Sequence, residues 1–448
     1  MLETLVLAAA LAAPTCVETI PGAALDTLPE PPPGAVGLVV PDAGPRTSER
    51  RAVESLRRGE VVNSLRGRLP SAPRRLDLCA DSRWHVGVPV GGDQRNDRRY
   101  LLVLEGVSGL LTSTSTRIPG LVAIADIAHG RVRVEADDDP LETLRELDDR
   151  IRDNGTSRLP ASVLAALIVV ALALVRPRAA VSALATGALA NLLLGVLGVS
   201  SSWIAIPAIA LGTAAGLVVP TTGVLLAGTI ALYGLAMAIE PAWVALSPLG
   251  PTQNARFHGI SNLLATLLLP VALASGALLW RRYGTVGLAV AAAIALVTVA
   301  GSRFGADAGG AVVLLAGFAV LAVSLLPRRA ALAALGALVL VTALALVLGP
   351  STHLGAADLP GDLWDRLVLS WERATDGVGV GLVTAAAMVT LVVLIARWPP
   401  RPLPLAMAAA IAVSMLVNDS PQDVALGGLV GWLALARWDA LAPVPFRR

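Results

Sequence analysis

Ten apolar stretches follow one another after Arg158, each approaching or meeting the length a helix needs to cross a bilayer core, about 20 residues. This succession leaves little room for any fold but a helical membrane bundle. The stretches are residues 159–175, 179–198, 203–219, 223–239, 260–280, 285–301, 310–326, 330–349, 378–396 and 403–417, with a shorter eleventh at 424–436. Composition agrees: the 448 residues are 55% hydrophobic and 15% charged, with a mean hydropathy of +0.70, a balance that water-soluble enzymes do not reach. The charges are unevenly divided. Residues 1–158 hold 20 Arg and 23 acids, whereas residues 159–448 hold 15 Arg and 10 acids. The chain therefore reads as a polar module joined near Arg158 to a membrane region. All 35 basic residues are Arg, which excludes Lys Schiff bases and P-loop lysines.

Orientation follows from the arginines, because cytoplasmic loops retain positive charge. Arg176, Arg178, Arg281, Arg282, Arg328, Arg329, Arg397, Arg401, Arg437, Arg447 and Arg448 fall on one side of the alternating spans, with Asp439 as the one acid there. That side is expected to be cytoplasmic, together with the C-terminus. The opposite side carries Arg256, Arg303, Arg366 and Arg373 with nine acids. By the same parity the polar module lies outside. Trp203, Trp243, Trp280, Trp398 and Trp438 stand at expected span ends, where interfacial tryptophans anchor helices. Between residues 349 and 378, Leu363, Trp364, Leu367, Val368 and Trp371 recur at helical spacing and predict an amphipathic helix on the outer leaflet.

Residues 1–18 read as a signal-like or anchor segment built on the apolar run 2–13, although Glu3 stands where a positive flank is usual. Residues 19–158 read as an extracytoplasmic α/β domain, and residues 159–448 as the multi-span domain. Expected strands are 35–40, 100–105, 121–125 and 131–135. One helix is expected from a Thr47 or Ser48 cap to Arg58. A second starts at Asp139 and Pro140, places Leu141, Leu144, Leu147 and Ile151 on one face and stops at Gly155. Cys16 and Cys79 are the two cysteines; an oxidising compartment permits a bridge, and sequence leaves pairing open. Asp42, Asp126 and His129 allow a metal site to be phrased, but a bivalent-metal hydrolase needs more Asp and His at strand ends. Surface or loop roles are expected for them, and no metal or cofactor.

Function is sought in polar clusters at span ends, since charge at membrane depth is costly unless paired or used. Three stand out: residues 247–262, with Arg256, His258 and Asn262; the glycine-rich turn 301–310, with Arg303 and Asp307; and residues 417–423, with Asn418 and Asp419. On the expected topology all three face the outside together with His353. Arg256 and Arg303 offer guanidinium forks for phosphate or carboxylate. His258, Asp307 and Asp419 are the candidate catalytic groups for proton chemistry. Asn262, His353 and Asn418 complete the candidate binding set. Structural ion pairing of Arg303 with Asp307, and helix capping by Asn418 and Asp419, are the competing readings.

At these motifs the chain resembles an uncharacterised family of bacterial polytopic membrane proteins that pair an extracytoplasmic domain similar to the alkaline-phosphatase superfamily with a multi-span region. The resemblance is carried by Arg256-Phe-His-Gly-Ile-Ser-Asn262, Gly305-Ala-Asp-Ala-Gly-Gly310 and Asn418-Asp-Ser-Pro421, and in the polar module by residues 111–128. His258 and Pro421 depart from the family's Tyr and Gly. A metal-binding nucleophile and a full ligand set find no counterpart, so the resemblance implies a degenerate phosphatase-like domain, and phosphatase activity is not carried over from the family.

Together these observations predict a polytopic α-helical membrane protein of about 10–11 transmembrane helices with a small N-terminal α/β extracytoplasmic domain. The expected setting is the plasma membrane of the cell envelope. The expected function is an outward-facing polar site for an anionic, lipid-linked glycan or phosphate-bearing substrate. A transporter or flippase, and a non-catalytic envelope assembly or sensory protein with a protein partner, are the alternatives. Nucleic-acid binding is not expected, because the arginines form membrane-flanking pairs and no basic patch.

Overall fold

The computed structural model describes residues 14–27, 33–41, 46–59, 76–251, 259–301, 304–305, 307–347, 378–418 and 420–441. They form two compact units, one of the described residues up to Asp153 together with Pro251, and one of the remaining described residues from Asn154 onward.

The first unit is an N-terminal α/β domain around a mixed sheet. Its strands are β1 (Cys16–Pro21), β2 (Gly34–Val40), β4 (Asp77–Leu78), β5 (Trp84–Val88), β7 (Tyr100–Glu105), β8 (Leu110–Ser113), β9 (Leu121–Ala123) and β10 (Val132–Glu135), while β3 (Arg46–Thr47) and β6 (Gln94–Arg95) pair separately. The order is β10-β8-β2-β7-β5-β1-β4, with β9 beside β2. β2 runs antiparallel to β7 and parallel to β8 and β9, so the sheet is mixed about its centre. The run Gly-Ala-Val-Gly-Leu-Val-Val of β2 is buried almost throughout, as expected for a central strand covered on both faces.

Local chemistry sets the helices of this unit. Helix α1 (Glu49–Arg58) is capped by the Ser48 hydroxyl, which accepts from Arg51 N, and stops at Gly59 in the left-handed region (φ 62°). Helix α2 (Ile124–Ala128) begins where the sequence predicts the strand 121–125 to continue. Ile124 and Ala125 are buried, and an apolar run buried all round carries no period to separate strand from helix. β1, β4, β5 and β8 were not expected. β1 begins within the segment read as signal-like; residues 2–13 lie outside the described residues. A Cys16–Cys79 disulfide ties β1 to the residue after β4.

Helix α3 (Pro140–Val175) corrects the expected stop at Gly155. Asp139 caps it, accepting from Glu142 N at 3.2 Å, and Leu144, Leu147 and Ile151 are buried as expected. Gly155 has no positive φ, and a Cβ there would meet nothing. The flanking polar residues are held as parts of a helix: Asn154 Nδ2 donates to Leu246 O (2.8 Å) and Arg158 Nη1 to Gly250 O (3.0 Å). These bonds override the low helix propensity of glycine.

The second unit is all helix. It comprises the end of α3, then α4 (Pro177–Val196), α5 (Ser202–Ala214), α6 (Gly223–Ile239), α7 (Pro241–Ala245), α8 (Asn262–Ala300), α9 (Ala308–Leu325), α10 (Arg328–Val347), α11 (Val378–Arg397), α12 (Pro402–Val417) and α13 (Pro421–Leu441). Among the described residues, five helices (α3, α4, α8, α11 and α13) are long and apolar enough to cross a membrane, and shorter apolar helices accompany them. The apolar stretches read from the sequence all coincide with helix where described. The amphipathic helix expected near residues 363–373 lies outside the described residues.

α8 is two limbs. Gly284 breaks it with φ 62° and ψ −145°, and the chain doubles back: Gly287 packs onto the Leu279 backbone and Leu288 onto Gly276. Small residues allow similarly close packing elsewhere. Gly234 of α6 abuts Thr298, Gly317 of α9 abuts Leu273 and Ala410, and Gly428 of α13 abuts Ile411. These contacts fix helix directions. One end of the unit gathers the start of α8, the α8–α9 turn and the α12–α13 turn. The other gathers the Gly284 reversal, the α9–α10 turn and the ends of α3 and α13, where Arg437 Nε donates to Ala173 O (3.2 Å) and Arg401 Nη1 to Asp439 O (2.7 Å). Trp203 is 91% exposed, as an interfacial anchor would be, but Trp438 is 5% exposed and belongs to the core.

Candidate functional site where three sequence motifs converge

The described parts of the three polar clusters meet at one end of the helical unit. Gly259 adopts a positive φ (88°), and the space where its Cβ would stand is taken by the carbonyl oxygen of Gly305. The first two clusters are thereby pressed backbone to backbone. Two residues on, the Ser261 hydroxyl accepts from Leu264 N (3.1 Å), capping α8, and donates to Leu249 O (2.6 Å). Asn262 then turns its amide across to the third cluster, where Nδ2 donates to Ser420 Oγ at 3.2 Å.

The glycine-rich turn is closed by its own backbone. Gly305 N donates to Thr298 O and Asp307 N to Val299 O, both at 2.9 Å, so the turn folds back on the last turn of α8. Asp307 stands at the N-cap position of α9, yet its side chain does not cap the helix. The carboxylate lies against Gly310, where a Cβ would come within 2.5 Å of Oδ2. Among the described residues no side chain or backbone donor is paired with it. Asn418 Oδ1 stands 3.3 Å from the position a Gly309 Cβ would take, and Asn418 Nδ2 donates to Ser414 Oγ at 2.7 Å. Gly309 and Gly310 thus let two polar side chains lie on bare helix backbone. Beneath them is a small cavity of about 30 Å³, lined by Thr266, Gly310, Ser414 and Asn418 on its polar side and by Val299, Leu314 and other apolar side chains elsewhere.

Of the candidate residues, Asn262, Asp307 and Asn418 are brought together. Arg256, His258, Arg303, His353 and Asp419 lie outside the described residues. The competing reading of Asp307 as an ion-pair partner of Arg303 involves a residue outside the described ones.

Behind the site a buried polar network holds the segment that leads into it, and this network was not read from the sequence. Asn191, fully buried in α4, donates from Nδ2 to Tyr233 Oη (3.2 Å) and Ser247 Oγ (3.0 Å), and its Oδ1 accepts from Leu249 N (2.9 Å). Tyr233 in turn donates to Ala188 O at 2.7 Å. Gly195 fits directly under the carbonyl of Trp243. Arg158, read only as a domain boundary, bridges two clusters: it bonds Gly250 O and places Nη2 3.6 Å from Asp423 Oδ2. A lone Asn inside an apolar span was the signal available for Asn191.

The other chemistry-bearing residues of the first unit are engaged structurally. Asp126 is buried, not surface-exposed as expected; it accepts from Ser115 N at 3.1 Å and faces Arg131 at 3.9 Å. His129 Nε2 meets Gly59 O at 2.8 Å. Asp42 lies outside the described residues.

Compared with protein-family models, curated proteins and solved structures, the chain finds no match.

Proposed function

We propose that the chain is a multi-pass protein of the cell envelope whose 10 or so spans present, on the outer face, a polar site for an anionic substrate carrying phosphate, such as a lipid-linked glycan carrier. The observation that carries this reading is the convergence of Gly259–Asn262, Gly305–Gly310 and Asn418–Ser420 from distant parts of the chain. Polar groups buried within a helix bundle are costly to keep unless they serve a ligand or one another. In this reading Arg256 and Arg303, which belong to two of these motifs, take the anion through guanidinium forks, and Asn262, His353 and Asn418 are the further binding residues. Asp307, the described carboxylate without a donor, takes the proton role with His258 and Asp419. The Cys16–Cys79 disulfide supports an extracytoplasmic N-terminal domain, since such bridges persist in oxidising compartments. The phosphatase-like resemblance fits an envelope setting and contributes no catalytic step.

The test uses the full chain. Asn418→Ala and the pair Arg256→Gln with Arg303→Gln are each expected to weaken binding of a polyprenyl-phosphate probe by tenfold or more, whereas Asp307→Asn should retain binding and lose complementation of the envelope phenotype, all with unchanged protein level and insertion. Unchanged binding together with an unchanged envelope phenotype sinks the reading.

A flippase or transporter is favoured by one observation, the irregular, buried segment from Leu246 to Gly250 held between helices by Asn154, Asn191 and Ser261. Counter-ion-dependent uptake into vesicles would select it.

A further inference from the structure

The opposite end of the helical unit carries a group of exposed arginines that shares no residue with the first site. There the Gly284 reversal presents Arg281 and Arg282, and the α9–α10 turn presents Arg328 and Arg329; all four are exposed. The two turns are neighbours. α9 and the first limb of α8 run side by side in the same direction, with Phe318 and Leu321 against Gly276, and Leu326 and Ala331 are buried in the same core against which Trp280 packs. Five residues beyond Gly276 lies Arg281, and seven beyond Leu321 lies Arg328. The two arginine pairs are therefore separated by about one helix–helix spacing, on the order of 10 Å.

None of the four has a carboxylate within ion-pairing distance among the described residues. The described acid at this end, Asp439, is fully buried, and Arg401 and Arg437 are engaged with helix carbonyls. Arg282 lies over the ring of Tyr283, 5.3 Å from its centroid, and Tyr283 is 53% exposed. Trp280 precedes the pair. An amphipathic aromatic beside an uncompensated cation is the arrangement expected at the headgroup level of a bilayer. Four guanidinium forks in two pairs match two phosphates held a short distance apart, each phosphate taken bidentately.

We infer that Arg281–Arg282 and Arg328–Arg329 form a binding site for a bilayer phospholipid with two phosphates in one headgroup, of the cardiolipin type. Basic pockets between transmembrane helices on the cytoplasmic side take such headgroups. The inference shares with the proposed function only its membrane setting and none of its site residues, so either can fail alone.

The test is thermal unfolding of the purified full chain in nanodiscs of phosphatidylcholine, of phosphatidylcholine with phosphatidylglycerol, and of phosphatidylcholine with cardiolipin at equal negative charge. Cardiolipin is expected to raise the midpoint saturably, with half-saturation at least fivefold below that of phosphatidylglycerol. Arg281→Gln with Arg282→Gln, or Arg328→Gln with Arg329→Gln, should raise the half-saturating cardiolipin content tenfold. Arg176→Gln with Arg178→Gln, at the same end but in another turn, should change it less than twofold. The four-fold Arg→Lys variant keeps the charge that directs insertion and should lose the cardiolipin preference while retaining the phosphatidylglycerol response. Equal responses to the two lipids in the native chain, or equal losses in the Arg176/Arg178 control, overturn the assignment. So does a Lys variant that keeps the full preference.

Discussion

At the scale of single residues, Asn191 has the largest role per atom. Its amide satisfies Leu249 N and binds Ser247 and Tyr233 within a fully buried environment. Asn191→Ala leaves Leu249 N without its acceptor and removes two further bonds, each worth on the order of 0.6–1.7 kcal/mol between packed apolar helices. A loss of about 2 kcal/mol is expected, read as a lowered midpoint in detergent unfolding; a shift below a few tenths of that would mean the network is incidental. In the N-terminal domain, the hydrogen bond from Arg98 holds the Asp26 carboxyl below its ordinary range, against a smaller opposing effect of burial. A depressed carboxyl contributes stability above its unfolded pKa and loses it as pH falls through the folded value, so the effect disappears below about pH 4. Both side chains are largely exposed, which keeps the effect small. Arg98→Gln should flatten the acid limb of the midpoint-versus-pH curve and leave neutral pH little changed; an unaltered acid limb would count against the pair.

At the scale of elements, α3 separates what pattern can read from what it cannot. The Asp139–Pro140 start and the buried face of Leu144, Leu147 and Ile151 were legible because capping and a 3.6-residue period are local. The end was not, because Gly155 is a stop signal only where the chain is free to stop, and bonds from Asn154 and Arg158 to residues 92 positions away continue the helix. Gly155→Ala tests this directly: in a continuous helix with open space at the Cβ it should raise stability by up to about 1 kcal/mol, whereas at a terminating left-handed glycine it would lower it. Denaturant midpoints distinguish the two signs. The apolar helices were legible throughout, since length and hydropathy need no partner to be read. β1, β4, β5 and β8 were missed for the opposite reason. Trp84–Val88 and Leu110–Ser113 are short, and their strand character comes from neighbours in the sheet.

At the scale of the whole molecule, the disulfide and the motif convergence do different work. Cys16 and Cys79 are 63 residues apart, and closing a loop of that length removes unfolded-state entropy worth about 4 kcal/mol in the chain-entropy model. Replacing both with Ser should destabilise the sheet unit by up to this amount and leave the helical unit unmoved, which calorimetry of the full chain can resolve; a joint shift of both transitions would contradict it. Sequence could nominate the three clusters because polar residues at span ends are conspicuous. It could not show that Asn262 reaches Ser420 or that Asp307 leaves its helix uncapped, since those depend on helix directions set by distant glycines. Gly259 and Gly305 carry one more consequence. The backbone of Gly305 fills the volume that a side chain at Gly259 would need, and a side chain at Gly305 would itself meet the carbonyls of Thr298 and Val299, so each position requires glycine for its own reason. Descendants of this chain that keep the junction should keep glycine at both positions, each held independently of the other.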